Sequence, residues 1–168
     1  MRIHRFFLFS LAVLLSLGVM TEGCKRDKCK KVVCVNGECV DGDCICQAGY
    51  GGSDCSAPLN ANYAGTFSLT EQCTAGADAY DLFLEPVSGS LDQVRVAGLW
   101  GKPQDSVIVT VAKNGTDFSA TRTGYAGKEL KVNGVMESDG QAGTVEFELF
   151  QVGANNPFDV CTATFEVK

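Results

Sequence analysis

Cysteine spacing constrains the fold of this chain more than any other feature. Six of the nine cysteines lie from Cys29 to Cys55, a stretch of 27 residues that we name the cysteine-rich segment. The segment contains mainly turn-forming and charged residues, so it cannot bury enough apolar surface to fold unaided. Disulfide bonds must therefore hold it, although spacing alone does not choose among the possible pairings. Zinc binding by closely spaced thiolates is an alternative, but an exported protein disfavours it.

Three sequence features of this segment belong to a known kind of module. They are Asn36-Gly37-Glu38-Cys39, the hairpin step Asp41-Gly42-Asp43-Cys44 followed by Cys46, and the ending Gly49-Tyr50-Gly51-Gly52-Ser53-Asp54-Cys55. With these features the segment, residues 29–55, resembles an EGF-like module of the short-hairpin, tenascin type. The resemblance implies three disulfide bonds: Cys29–Cys39, Cys34–Cys44 and Cys46–Cys55.

The same resemblance bears on metal binding. Calcium-binding members of the family carry acidic residues just before the first cysteine, whereas this chain has Lys25-Arg26-Asp27-Lys28 there. We therefore expect no calcium and no other metal in the module. The module is expected either to act as a spacer or to take part in binding.

The N-terminal residues predict export. Arg2 and Arg5 precede an apolar run at residues 6–20, which is short for a bilayer span but typical of a secretory signal peptide. We predict a signal peptide over residues 1–23. Its end, Gly23-Cys24, resembles a bacterial lipobox, which implies a lipid on Cys24. Cleavage by an ordinary signal peptidase after small residues is the alternative.

The cysteine count favours lipidation of Cys24. Six cysteines belong to the module, and Cys73 and Cys161 lie further along the chain, so Cys24 is left over. An unpaired thiol is a liability in an exported protein, and two or more acyl chains give stable membrane attachment. We expect a lipid-anchored protein at the outer membrane or cell surface, with soluble secretion as the alternative. Residues 24–28 then form a basic tether that contacts anionic headgroups or is simply solvated.

Alternation of apolar and polar residues dominates residues 63–168, which follow a linker at residues 56–62. The alternating positions are Phe67/Leu69, Leu82/Leu84, Val94/Val96, Val107/Val109/Val111, Phe118/Ala120, Leu130/Val132, Val145/Phe147/Leu149 and Cys161/Ala163/Phe165/Val167. A period of two with one polar face predicts eight half-buried strands. Short turns separate them, among them Asn114-Gly115, which also forms a glycosylation sequon but is better explained as a hairpin turn. We predict an all-β chain with an antiparallel up-and-down eight-stranded β-barrel.

Closure of this barrel predicts the remaining disulfide bond. In a closed meander the first strand pairs antiparallel with the last, which brings Cys73 beside Cys161 at the seam. The barrel resembles a small lipocalin-like domain, and the complete arrangement resembles surface lipoproteins of Bacteroidota. A β-sandwich of the immunoglobulin kind is the alternative, but Trp100 lies too far after Cys73 for that fold.

The sequence offers little for catalysis or for binding nucleic acid. Its one histidine, His4, lies in the predicted signal peptide, so the mature chain has no imidazole. Glu146 and Glu148 share the polar face of one strand, where a solvated pair is expected rather than a catalytic one. Residues 57–168 carry seven basic and 14 acidic side chains, a net charge of −7 that disfavours nucleic acid. We expect no enzymatic activity and no cofactor.

Two functions remain. The first is a binding or adhesion lipoprotein whose barrel loops contact a protein or a glycan, and the second is a carrier that encloses a small apolar molecule. Large inward-facing residues such as Phe67, Phe118 and Phe165 predict a filled core and favour the first. Core or seam packing is expected for five aromatic residues, with a cavity lining or an exposed patch as the alternative: Tyr63, Tyr80, Trp100, Tyr125 and Phe150.

Overall fold

The computed structural model describes residues 27–168. The predicted signal peptide, Cys24 and the first basic residues of the tether lie outside the described residues. Within residues 27–168 the regular structure is β-strand, together with two short 3₁₀ turns at Lys28–Lys31 and Leu99–Gly101. No helix in this range is long and apolar enough to cross a membrane.

The cysteine-rich segment contains a small hairpin. Strands β1 (Gly37–Val40) and β2 (Asp43–Cys46) pair antiparallel, and the short β3 (Tyr50–Gly51) pairs with β4 (Ala57–Pro58). The hairpin turn consists of Asp41 and Gly42, both with positive φ, at 55° and 102°. Tight two-residue turns require this backbone conformation, and Asp-Gly adopts it at low cost.

Disulfide bonds supply most of what holds this segment. The structure contains Cys29–Cys39, Cys34–Cys44 and Cys46–Cys55, with Cα–Cα distances of 5.8, 5.7 and 5.2 Å. These are the three pairs that the resemblance to EGF-like modules implied. Cys55 is the one hydrophobic residue from 27 to 55 that is buried, so the segment has almost no apolar core. Its stability must come from the covalent links.

Eight strands follow and close into an antiparallel barrel, which confirms the predicted fold class. They are β5 (Gly65–Cys73), β6 (Gly76–Pro86), β7 (Gln93–Ala97), β8 (Ser106–Val111), β9 (Asp117–Tyr125), β10 (Lys128–Met136), β11 (Ala142–Phe150) and β12 (Asp159–Val167). Each strand pairs with its neighbours in the sequence, and β12 pairs with β5 to complete the circle. The topology is the predicted up-and-down meander rather than a sandwich.

A disulfide bond fastens the seam between the first and last barrel strands. Cys73 lies directly opposite Cys161 in the register of β5 and β12, and the two sulfur atoms are bonded across a sequence separation of 88 residues. Strand closure alone had predicted this pair. The bond therefore joins the two ends of the barrel sequence at the point where the sheet closes.

The predicted alternation describes the core almost completely. Of the alternating residues, all but Val167 are buried and pack inside the barrel. Val167, the last residue of β12, is 43% exposed although its register partner Phe67 is fully buried.

The barrel has two ends, and both are closed by side chains. At one end, which we name the N-terminal pole, Leu59, Asn60 and Tyr63 are buried as the chain enters the barrel. The Tyr63 hydroxyl donates to the carbonyl oxygen of Thr116 at 2.7 Å, and its ring meets Phe118 edge-on. The residues before β5 therefore act as a plug.

The opposite end, which we name the Trp100 pole, is closed by the 3₁₀ turn between β7 and β8. Leu99 of this turn is fully buried, and the Trp100 ring packs against Tyr125 and Phe147 at centroid distances of 5.4 and 5.8 Å. The Tyr125 hydroxyl donates to the carbonyl oxygen of Leu99 at 3.1 Å. This turn holds Trp100 with a positive φ of 53°, a backbone conformation that tertiary contacts must maintain.

Candidate functional site

The interior of the barrel leaves no room for a ligand. Its central cavity has a volume of about 20 Å³, enough for one water molecule at most. The walls are entirely apolar: Leu82, Leu84, Val96, Val107, Val109, Phe118, Val132, Val145, Phe147 and Phe165. Both poles are also closed, by Tyr63 at one end and by Leu99 and Trp100 at the other.

The outer face of the barrel carries a much larger depression, which we name the outer groove. It has a volume of about 810 Å³ and crosses five adjacent strands, from β5 through β12, β11 and β10 to β9. Twelve exposed residues line it, among them Ala77 of β6 and Ala112 after β8. The other ten lie on these five strands, and we call them the floor: Thr70, Gln72, Asp117, Ser119, Asn133, Val135, Thr144, Glu146, Thr162 and Thr164. Of these residues, Glu146 was predicted to lie on the polar face of its strand, and the groove itself was not predicted.

Strand register arranges the ten residues in two rows across the sheet. The first row consists of Thr70, Thr164, Thr144, Val135 and Asp117, each paired with the next, and the second consists of Gln72, Thr162, Glu146, Asn133 and Ser119. With neighbouring strands spaced about 4.8 Å apart, each row is about 19 Å long. The groove is therefore a regular lattice of side chains on a rigid sheet.

Two inward-facing glycines explain why the outer face is hollow at this place. Any side chain at Gly134 in β10 would overlap the Phe118 ring, and one at Gly143 in β11 would overlap the Phe165 ring. The backbone can therefore move inward until it rests on these rings. Glycine in a strand commonly marks such a bend or close approach. The close contact between the backbone and these two rings fills the core on the inner face and makes the outer face of the sheet concave at the same place.

The groove is acidic and carries no basic side chain. Asp117 and Glu146 lie in it, and no lysine or arginine is among its lining residues. Lys131 occupies the position beside the second row, where its Nζ atom pairs with Glu148 at 2.5 Å. Within residues 27–168 neither Glu146 nor Asp117 takes part in a salt bridge. Both side chains are exposed, and Asp117 accepts one hydrogen bond, from the Thr116 hydroxyl at 3.3 Å.

A second polar cluster lies inside the Trp100 pole. Glu71 of β5 is only 3% exposed, and it accepts a hydrogen bond of 2.6 Å from the Tyr80 hydroxyl. Burial raises the pKa of Glu71, and nearby Asp78 and Asp159 raise it further, while the Tyr80 hydrogen bond opposes them. Burial also raises the pKa of Tyr80, so this hydroxyl remains a donor. Glu71 also lies among the residues that line the outer groove, between Thr70 and Gln72 in β5.

Metal binding at this cluster is disfavoured by its chemistry. Among the described residues, one group of potential ligands comes within 4.8 Å of one another, and it consists of Glu71, Cys73 and Cys161. The two sulfur atoms are bonded to each other, so they are not the thiolates that metals require. A single carboxylate remains, which does not make a metal site.

The residues singled out from the sequence fall in different places. Glu146 lies in the groove, whereas Glu148 points to the same face but is paired with Lys131. Asn114 forms the predicted turn, where its side-chain oxygen accepts from the backbone N–H groups of Thr116 and Asp117.

The five aromatic residues contribute to closing and packing the barrel. Tyr63, Tyr125 and Phe150 are buried, while Tyr80 and Trp100 are partly buried and pack against the core. The Phe150 ring also receives the Arg122 guanidinium at 4.0 Å from its centroid. None of the five lines the outer groove, so the alternative of an aromatic binding patch does not describe this surface.

These observations define a class of protein: an all-β chain in which a disulfide-held segment precedes a closed, filled, eight-stranded antiparallel barrel with a polar groove on its outer wall. No protein-family model matches the chain, and no curated protein matches it.

Proposed function

We propose that this protein is a lipid-anchored cell-surface lipoprotein without catalytic activity, and that its barrel binds ligands on the outside. The cysteine-rich segment serves as an EGF-like module that holds the barrel away from the lipid on Cys24. The lipobox-like Gly23-Cys24, the apolar run at residues 6–20 and the single left-over cysteine support the anchor.

One observation carries the binding part of this proposal. The barrel interior holds about 20 Å³, whereas the outer groove holds about 810 Å³. Pockets for small organic ligands are usually hundreds of cubic ångströms, so the groove has the required size and the interior does not. The carrier alternative would require the core to repack around its cargo.

Packing between the module and the barrel supports a role in presentation. The backbone N–H of Leu59 donates to Gly49 of the module at 3.0 Å, and that of Asn60 donates to Leu91 of the barrel at 3.1 Å. The Asn60 side chain adds hydrogen bonds to the carbonyl oxygens of Ser90 and Gln93, at 3.1 and 2.9 Å. A junction of this kind fixes the direction in which the groove faces.

Intact mass and peptide mapping test the anchor. The protein is purified from its native membrane without reduction. We expect acyl chains on Cys24 as the first residue of the mature chain and all other cysteines in disulfide bonds. A Cys24 bridged to another cysteine, or a mature chain that starts elsewhere with an unmodified Cys24, would replace the proposal with a soluble secreted protein.

Titration with the fluorescent apolar probe N-phenyl-1-naphthylamine tests the carrier alternative. We expect no saturable binding, because the interior has no room for the probe. Binding at one probe per barrel, abolished by filling the core with Val109→Phe but unaffected by the surface change Thr164→Arg, would establish the carrier instead.

A further inference from the structure

We infer that the outer groove binds a glycan chain that is uncharged or bears amino groups. This inference rests on the proposed function, in that it takes the outer surface of the barrel as the binding surface. It goes further by assigning the site to the ten residues of the two cross-strand rows and by naming the chemistry of the ligand.

The side chains of the groove match the hydrogen-bonding chemistry of sugars. Nine of the ten floor residues carry a hydroxyl, an amide or a carboxylate, and Val135 is the exception. Hydroxyl and amide groups both donate and accept, as sugar hydroxyl groups do, so either partner can satisfy the other in many orientations. The threonine methyl groups and Val135 add small apolar contacts for the faces of sugar rings.

The charge of the groove excludes anionic ligands. Asp117 and Glu146 are its charged floor residues, and no basic side chain lines it. Nucleic acids and sulfated or uronic-acid glycans need Lys or Arg to neutralise them, and these carboxylates would repel them. Glu146, at the centre of its row, is suited to accept hydrogen bonds from hydroxyl or ammonium groups.

The residue types in the groove also argue against a protein partner. Protein interfaces depend on buried Trp, Tyr and Arg anchors, whereas Ser, Thr and Val seldom contribute much binding energy. The groove lacks all three anchor types and is built mainly from Thr, Ser, Asn and Gln. An apolar small molecule is less well matched, because pockets for such ligands are lined mainly by large hydrophobic and aromatic side chains, and the exposed apolar residues of this groove are Val135 and two alanines.

The length and form of the groove favour an oligomer over a single sugar. The two rows run about 19 Å across five strands. The groove is open along its length and lies on hydrogen-bonded strands that need no rearrangement to accept a chain. A preorganised surface of this kind reduces the entropy lost on binding, which helps to offset the weak individual contacts.

A glycan microarray tests the inference with the full-length protein in detergent. The array carries neutral, amino-bearing, and sulfated or uronic-acid oligosaccharides. We expect binding to neutral or amino-bearing chains. Thr164→Arg and Thr162→Arg each place a long side chain at the second position of a row, beside its central residue, and should each weaken binding about tenfold or more, a loss of about 1.4 kcal/mol. The matched control Ser106→Arg, on the exposed face of β8 outside the groove, should bind as the wild type does.

The variant Glu146→Gln distinguishes amino-bearing chains from neutral chains. It should weaken the binding of amino-bearing chains while leaving neutral chains within about twofold, because a neutral amide replaces the carboxylate. Thermal unfolding of every variant establishes that each one is folded before its binding is compared.

Several results would overturn the inference. They are a folded wild-type protein that binds no glycan, one that binds only anionic glycans, and binding that survives both Arg substitutions or is lost in Ser106→Arg. These results are distinct from failure of the anchor. A protein acylated on Cys24 that binds no glycan loses this inference alone, and a glycan-binding protein with an unmodified Cys24 loses the anchor alone.

Discussion

Gly134 in β10 faces the barrel interior, and a Cβ atom placed there would overlap the Phe118 ring. The Phe118 ring occupies the space that a side chain at residue 134 would take, so the core remains packed while the β10 backbone lies close to the ring. Gly143 and Phe165 repeat the arrangement in the neighbouring strand. Each glycine therefore affects both faces of the sheet. On the inner face it makes room for a core ring, and on the outer face it lets the backbone lie deeper, at the base of the outer groove.

Gly134→Ala should destabilise the protein by about 1–3 kcal/mol, the usual cost of overpacking a filled core. Gly124→Ala is the matched control, since Gly124 lies in the adjacent β9 with nothing within 4 Å of an added Cβ. Urea unfolding measures both variants. Replacing the ring with a smaller side chain in the double variant Gly134→Ala/Phe118→Leu should recover part of the lost stability, because the two sites are in contact and their effects are coupled. Equal stability of the two alanine variants would show that the Phe118 ring does not restrict Gly134.

Glu71 predicts a pH dependence of stability. Burial, together with Asp78 and Asp159, raises the pKa of Glu71 above its usual value of 4.5 in the folded protein. Between the pKa of the unfolded state and the raised pKa of the folded state, folded Glu71 therefore keeps a proton that the unfolded chain has released. The resulting stabilisation is fully present below pH 4.5 and is lost as the pH rises through the raised pKa.

Glu71→Gln should remove this loss, because glutamine can still accept the Tyr80 hydrogen bond but carries no charge at neutral pH. Thermal unfolding from pH 4 to about pH 8 is the measurement. We expect the variant to have the higher midpoint at neutral pH and a smaller difference from wild type in acid. The exposed Glu146→Gln serves as the control, and a wild-type-like pH profile in Glu71→Gln would contradict the prediction.

Strands β5 and β12 form the element on which closure depends. They share seven residue pairs, with Cys73 opposite Cys161 at one end. The two strands are at opposite ends of the barrel sequence, so their pairing costs more chain entropy than any hairpin in the meander. A disulfide bond here reduces that cost because it restricts the conformations of the unfolded chain.

Cys73→Ser/Cys161→Ser should therefore lower the free energy of unfolding of the barrel by roughly 4.6 kcal/mol, as the chain-entropy model gives for a loop of this length. Guanidinium unfolding followed by tryptophan fluorescence reports on the barrel, because Trp100 is the single tryptophan and packs at one pole. Cys29→Ser/Cys39→Ser, which opens a link of separation 10 within the module, is the comparison and should affect this barrel transition much less. Equal effects of the two pairs would show that the seam bond does not stabilise closure.

At the scale of the whole molecule, the sequence predicted the parts that depend on local pattern. Alternation from Phe67 to Phe165 gave the strands, and closure of the meander gave the Cys73–Cys161 bond. The groove was not predicted because its curvature depends on rings that pack against glycines in other strands. A run of outward threonines in β11 and β12 was the available signal, but outward threonine is common in any sheet.

The contacts at the junction between module and barrel could not be predicted from the sequence pattern either. Residues 56–62 were expected to be a linker, but the structure places β4 in them and buries Leu59 and Asn60. The partners of the Asn60 side chain lie 30 and 33 residues away, in and after the loop between β6 and β7. No periodicity within a short window can reveal such contacts, since they depend on the packing of the completed barrel.

Asn60→Ala should therefore loosen the junction while the barrel remains folded. The change removes both side-chain hydrogen bonds, which leaves the partly buried Ser90 carbonyl oxygen without this donor and the Gln93 carbonyl oxygen with the Val87 N–H. Losing such bonds costs about 1–3 kcal/mol, which opening of the segment to water can relieve. Limited proteolysis, read by mass spectrometry, should show faster cleavage at residues 56–62 than in wild type. Asn62→Ala, two residues later and exposed, is the matched control and should be cleaved at the wild-type rate. If wild type is already cut there as quickly as Asn60→Ala, the module moves freely on the barrel, and the groove has no fixed direction relative to the anchor.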